Sequence, residues 1–198
     1  MVKLTPELTA GFDEAGRGPL AGPVFAAAVI LPELLPASLL ALNDSKKLSA
    51  LQRENLFDLI QRDAVAWAIA EASVEEIEEL NILQASLLCM RRALEALAIK
   101  PSRALVDGNR DPALGIKTEL IIKGDAKEKC ISAASILAKV ARDRRMLALH
   151  EEFPNYGFDQ HKGYGTEFHR DAILKYGPCA IHRKLFLRNI EQLSLGLG

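Results

Sequence analysis

Leu8-Thr9-Ala10-Gly11-Phe12-Asp13-Glu14-Ala15-Gly16-Arg17-Gly18 decides how this chain is read. A short apolar lead-in delivers two adjacent acids where a strand runs out, and a Gly-Arg-Gly triplet follows. Mg²⁺ and Mn²⁺ prefer carboxylate oxygens and often share their shell with substrate phosphates. The guanidinium of Arg17 is shaped for a phosphodiester. Gly16 and Gly18 let the main chain approach a ligand closely. The plain alternative is a strand that ends in a glycine-rich turn with solvated acids.

Working outward, residues 24–31 form an apolar run bounded by prolines, which predicts a second, buried strand paired with the first. After a Pro- and Leu-rich connection comes Asn43-Asp44-Ser45-Lys46-Lys47-Leu48-Ser49. Ser49 and Gln52 read as a capping box for a helix over about 50–62. Two lysines at that helix start suit an anion site or a solvated turn. Residues 65–72 have strand length, Ser73 with Glu76 is a second capping box, and Asn81 with Gln84 caps a further helix. Leu83, Leu87, Met90, Leu94 and Leu97 make one helical stripe and are expected in the core.

Residues 103–106 predict a short strand that delivers Asp107, and residues 119–122 another that leads to Lys123-Gly124-Asp125. A long helix is expected from about 126 to 150, with Asp125 and Glu128 spaced as its capping box, so Asp125 reads as a cap, a metal contact or both. Ser132, Ala133, Ala134, Ser135 and Ala138 would let that helix pack closely, while Lys139, Arg142, Arg144 and Arg145 read as a solvated basic face. His161-Lys162-Gly163-Tyr164-Gly165-Thr166 interleaves basic and aromatic residues with glycines, which suits a sugar–phosphate contact beside an aromatic platform. Helices are expected over about 166–175 and 181–193. His150, His161, His169 and His182 lack compact metal spacing and read as structural or surface residues.

Composition bounds the rest. With 198 residues, 49% hydrophobic and 26% charged, one domain over residues 1–198 with a C-terminal helical segment from about 166 is expected. The formal net charge of −1 hides an uneven split: residues 1–100 carry 9 basic and 14 acidic side chains, residues 101–198 carry 16 and 12. That allows a basic surface in the second half. Cys89, Cys130 and Cys179 are too few and too scattered for a zinc ribbon or a disulfide framework. With no apolar run long enough to cross a membrane and no leader-like start, a cytoplasmic protein is expected.

The element order predicts an α/β chain, a mixed sheet with helices packed on it that gathers strand ends at one place. Asp13, Glu14, Asp107 and Asp125 would then form one acidic cluster with no obvious cationic partner. Such a cluster calls for divalent metal, and two metals about 4 Å apart suit in-line attack of water on a phosphodiester. A cap, a turn and a strand end account for the same acids separately.

Six motifs decide between these readings. The chain closely resembles the bacterial ribonuclease HII family in residues 13–23, in Asn43-Asp44-Ser45-Lys46-Lys47-Leu48, in Val106-Asp107-Gly108-Asn109, in Lys123-Gly124-Asp125, in residues 133–140 with Arg142-Asp143, and in residues 161–166. The resemblance implies the ribonuclease H-like fold, a five-stranded mixed sheet flanked by helices with a helical C-terminal segment. It implies metal-dependent cleavage of RNA in RNA–DNA hybrids and incision 5′ to a single ribonucleotide in duplex DNA, leaving 3′-hydroxyl and 5′-phosphate ends, with Mg²⁺ or Mn²⁺ as cofactor.

By the same resemblance, Asp13, Glu14, Asp107 and Asp125 match the catalytic and metal-binding set. Gly16, Arg17 and Gly18 match the loop that reads the 2′-hydroxyl. Tyr164 matches the tyrosine at the RNA-to-DNA junction, and Ser45, Lys46 and Lys47 fall where backbone phosphates are held. The expected partners are RNA–DNA hybrid and ribonucleotide-containing duplex, met by a monomer without a membrane contact. His182-Arg183-Lys184-Leu185-Phe186-Leu187 departs from the family pattern, which has Ser before the Phe and Pro shortly after. A junction-cleaving nuclease or sugar-kinase-like ATPase of the same fold type has no use for Gly-Arg-Gly beside a junction-reading Tyr. A non-catalytic hybrid-binding protein has no use for four acids, which repel a polyanion unless metal is present.

Overall fold

A computed structural model describes residues 7–43 and 45–187, with the main chain alone at Lys46. Asp44 and residues 188–198, and with them the second half of the expected last helix, lie outside the described residues. Two opening strands, the second buried along its whole length, organise the rest. Strand β1 (Thr9–Ala15) pairs antiparallel with β2 (Val24–Ile30), and β2 with β3 (Ala66–Ala72). On its other side β1 pairs parallel with β4 (Arg103–Asp107), and β4 with β5 (Lys117–Ile121). The sheet therefore runs β3-β2-β1-β4-β5, with β1 at its centre.

Successive residues of β1 face opposite layers. Ala10 and Phe12 join Val24, Ala26, Ala28 and Ile30 in a core completed by α3 (Ile82–Ala96) and by Ile77 of α2 (Val74–Leu80). Ala27 and Val29 point the other way, onto α1 (Ala50–Asp63) and α4 (Lys129–Glu152). Gly11 lies under α4: a Cβ there would meet the Cys130 and Ile131 main chain well inside contact distance. The helix can sit on β1 because neither element puts bulk between them. Ser132, Ala133, Ala134, Ser135 and Ala138 are all buried, as their sizes predict. A third core gathers Ala21, Met146, Leu149, Tyr156, Phe158, Ala172 and Ile173 around α5 (Phe158–His161) and α6 (Glu167–Tyr176).

Of the three predicted capping boxes, Ser49 with Gln52 and Ser73 with Glu76 form, and the Asn81 side chain accepts from Leu83 and Gln84. Two expectations change. The long helix starts at Lys129 after a 3-10 turn over Gly124–Ala126, so Asp125 is not its N-cap; Glu128 holds that place without a side-chain bond. In α3 the fully buried line is Ala85, Ser86, Cys89, Met90 and Ala93; of the expected stripe Met90 and Leu97 are buried in the core, Leu87 and Leu94 pack half-buried against it, and Leu83 is half-buried. The sheet beneath is alanine-rich, so the helix comes close on its small residues and the leucines flank the contact.

Candidate active site

Where β1 and β4 run side by side, their last residues open into a cavity of about 270 Å³. Asp13, Glu14, Asp107, Gly16, Arg17, Gly18, Ser45, Ser135 and Tyr164 line it, ringed by Arg53, Lys139 and Arg142. The three acids lie inside their strands rather than just beyond them, as the lead-in had suggested. Regular pairing thus fixes their main chain.

Asp13 is buried, and burial first, then the charges of Glu14 and Asp107, push its carboxyl well above the usual aspartate range. A hydrogen bond from Ser135 acts the other way. The Ser135 hydroxyl also shares a hydrogen bond with that of Ser45, at 2.8 Å. Glu14 is also raised, chiefly by burial, but Arg17 opposes this from 3.3 Å. The expectation of a cluster with no cationic partner is therefore corrected: Arg17 reaches back three residues to Glu14. The remaining cations are engaged elsewhere. Arg53 donates to the Ser45 and Leu48 carbonyls, and Lys139 pairs with Asp143 at 2.7 Å.

Three acids share the cavity, whereas Asp125 lines a second one with Asn43, Lys127 and Ser132. Its turn is nonetheless tied to the first, since the Gly124 amide donates to Asp107 at 2.6 Å. Among the described residues no three His, Cys, Asp or Glu side chains converge into a complete metal cage. Asp13 and Glu14 are neighbours on one strand and so project to opposite faces. The excess of buried negative charge fits a hard cation that completes its shell with phosphate and water oxygens.

The Gly-Arg-Gly loop is held from behind by two buried arginines. Arg142 gives its Nε to the Pro23 carbonyl, Nη1 to Lys162 and Nη2 to Ala21, at 3.0–3.1 Å. Arg183 donates to the carbonyls of Gly16 and Gly22 at 2.7 Å and to those of Arg17 and Pro19 at 3.1 and 3.0 Å. Burial lowers their pKa values to about 10 and about 9, which leaves both charged at neutral pH. The sequence places Arg142 on a solvated basic face; the structure instead buries it, so closely against Gly16 (φ +102°) that a Cβ has no room beside its guanidinium. Neither arginine was legible as a loop support, because their partners are main-chain carbonyls far away in sequence. Ser135 was named only as a small packing residue.

Of the expected substrate contacts, the 3.8 Å from an ideal Gly18 Cβ to the Tyr164 ring places loop and ring face to face. Tyr164 is 44% exposed, with the Arg142 guanidinium 5.9 Å from its ring centre. Ser45 is buried against α4, Lys47 is exposed, and the Lys46 side chain lies outside the described residues.

A mixed sheet in this order, helices on both faces and carboxylates at the ends of its central parallel pair together define a ribonuclease H-like nuclease. Ribonuclease H2 from Pyrococcus horikoshii shares the fold, with a TM-score of 0.78 and 29% identity over 95% of this chain and 99% of that one. Bst-RNase HIII in complex with Mn²⁺ superposes with a TM-score of 0.77 at 17% identity, covering 98% and 71%. The family profile described as Ribonuclease HII matches residues 10–189. Ribonuclease HII 1 of Methylibium petroleiphilum is 59% identical over 94% of this chain and 93% of its own. The chain belongs to the ribonuclease HII family, and its activity is hydrolysis of the RNA strand of RNA–DNA hybrids.

Proposed function

We propose that the chain also incises duplex DNA 5′ to a single embedded ribonucleotide, with Asp13, Glu14, Asp107 and Asp125 as its catalytic and metal-binding carboxylates. The observation that carries this reading is the shared cavity: three acids, the Gly16–Gly18 main chain and the Tyr164 ring face one space. Divalent-metal dependence comes with the family; Mg²⁺ or Mn²⁺ suits the oxygen donors. Such a metal supplies Lewis-acid polarisation of the scissile phosphate.

The protein's own residues do the rest. Gly16 and Gly18 expose main-chain groups to the ribose 2′-hydroxyl, the group that separates RNA from DNA at one site. Tyr164 packs its ring on the neighbouring deoxyribose. Ser45, Lys46 and Lys47 hold backbone phosphates, and Arg17 exchanges Glu14 for a phosphate oxygen. Water oxygen bonds to phosphorus, the bond to the upstream 3′-oxygen breaks, and that oxygen leaves with a proton, giving 3′-hydroxyl and 5′-phosphate ends.

The test is a duplex carrying one ribonucleotide, incubated with Mg²⁺, with Mn²⁺ and with EDTA. One nick 5′ to the ribonucleotide, present with either metal and absent with EDTA, is expected. No nick with either metal, on a preparation that cuts continuous hybrid, would overturn the reading.

A further inference from the structure

Beneath Tyr164 lies a buried line of side chains that the reaction does not use. The His169 Nδ1 is 2.9 Å from the Tyr164 carbonyl, and its Nε2 is 3.1 Å from His182 Nε2. The Cys179 amide donates to His182 Nδ1 at 2.9 Å, and the Cys179 thiol lies 3.1 Å from the same nitrogen. The two ends fix every proton between them. A carbonyl only accepts, so His169 carries its proton on Nδ1 and offers a lone pair at Nε2. A main-chain amide only donates, so His182 accepts at Nδ1 and carries its proton on Nε2. The 3.1 Å contact is then one hydrogen bond, from His182 to His169, between two neutral rings. Burial keeps both rings neutral, holding each pKa down to about 4. Tyr156 and Phe158 close around them, with their rings 4.9 Å from His182 and 5.4 Å from His169.

The other face of the same segment grips the Gly-Arg-Gly loop. Ala21 and His182 form a bridge in which Gly22 donates to the Ile181 carbonyl and Arg183 to the Leu20 carbonyl, at 2.9 and 2.8 Å. The His182 main chain is thus fixed to the loop, while its side chain reaches Tyr164 through His169. The residues before Tyr164 are also tied to that segment, since the Leu20 amide donates to the Gly163 carbonyl at 2.8 Å and Arg142 to that of Lys162; the histidine pair adds the hold on the Tyr164 carbonyl itself.

We propose that His182 and His169 are positioning residues: they tie the Tyr164 main chain to the segment that carries the Gly16–Gly18 loop, and so set the separation of ring and loop at which the ribonucleotide junction is read. This rests on the reading of Tyr164 as a substrate contact.

His182→Asn retains an acceptor for the Cys179 amide but loses the donor to His169. His182→Gln reaches the Nε2 position and retains that donor. With a single-ribonucleotide duplex at saturating Mg²⁺, His182→Asn should slow single-turnover cleavage about 10- to 100-fold, the scale of a misplaced reacting group. His182→Gln should recover most of that loss. In a Tyr164→Ala background, His182→Asn should add no further loss, since a residue acting through Tyr164 has nothing left to position. Parental cleavage by His182→Asn, or an equal further loss in the Tyr164→Ala background, overturns the proposal while leaving Tyr164 as a contact. Parental cleavage by Tyr164→Ala alone removes the reading beneath it. Should the His182 variants not fold, imidazole ¹⁵N spectra of the unaltered protein decide. His169 protonated at Nδ1, His182 at Nε2 and a coupling between their Nε2 atoms are expected; the reverse tautomers overturn the proposal.

Discussion

Asp13 shows how position converts an ordinary side chain into a reactive one. Its carboxyl is raised by burial and by Glu14 and Asp107, so the folded protein favours its protonated form. The stabilising contribution of such a group is full at low pH and fades as pH rises through the folded pKa. Metal-free protein therefore carries a cost at pH 8 that Asp13→Asn removes, while Asn still accepts a bond from Ser135. In EDTA the Asn variant should melt higher than the parent at pH 8, with the gap closing toward acid, and should lose at least about 100-fold in cleavage rate. A lower melting temperature for Asp13→Asn at pH 8 would contradict the charge argument. Asp125 is different in kind. Asp125→Asn keeps the size and an acceptor oxygen of this buried side chain, so the melting temperature should change little, yet it lacks the charge proposed for catalysis. Near-parental cleavage by Asp125→Asn at saturating Mg²⁺ would remove Asp125 from the catalytic set.

At the scale of elements, the site depends on how closely α4 lies on β1. Ser135 can donate to Asp13 because Gly11, two residues earlier on the same face, lets the helix start directly over the strand. In Gly11→Ala the new methyl meets main chain, which cannot rotate away. We expect a loss of about 3 kcal/mol, the upper end for overpacking, read by urea denaturation, together with slower cleavage. An unchanged midpoint would show that α4 can shift freely. Local signals predicted elements well here: the Ser49 and Ser73 capping boxes and the Asn81 cap form where the spacing puts them. The α3 stripe was rotated because leucine spacing reports apolarity, whereas an alanine-rich sheet selects the smallest residues for its contact line.

Over the whole molecule, charge is organised around the acids rather than carried in the total. The formal net charge is −1, yet Arg17, Arg53 and Lys139 border the cavity and Lys47 is exposed. Binding of RNA–DNA hybrid in Ca²⁺, used as a non-cleaving probe, should weaken as salt rises. A log–log slope of about −2 to −4 is expected, as for a few neutralised phosphates. A flat response between 50 and about 200 mM salt would mean that this rim does not track the backbone. Among the described residues no helix is long and apolar enough to cross a membrane.

The sequence by itself determined the strands, the caps, the three acids that meet and the family motifs. These are local: strand alternation, cap spacing and turn chemistry are written within a few residues of one another. Only the tertiary structure decided what holds them together. Arg142 and Arg183 bind carbonyls more than a hundred residues away, and His182 meets His169 across the turn at Gly177. Main-chain acceptors carry no side-chain signature, and a histidine's tautomer is set by whatever faces it, so folding alone could assign these roles. The same holds for Asp125, whose spacing allowed a helix cap, a metal contact or both, and which the 3-10 turn before α4 removes from the cap position.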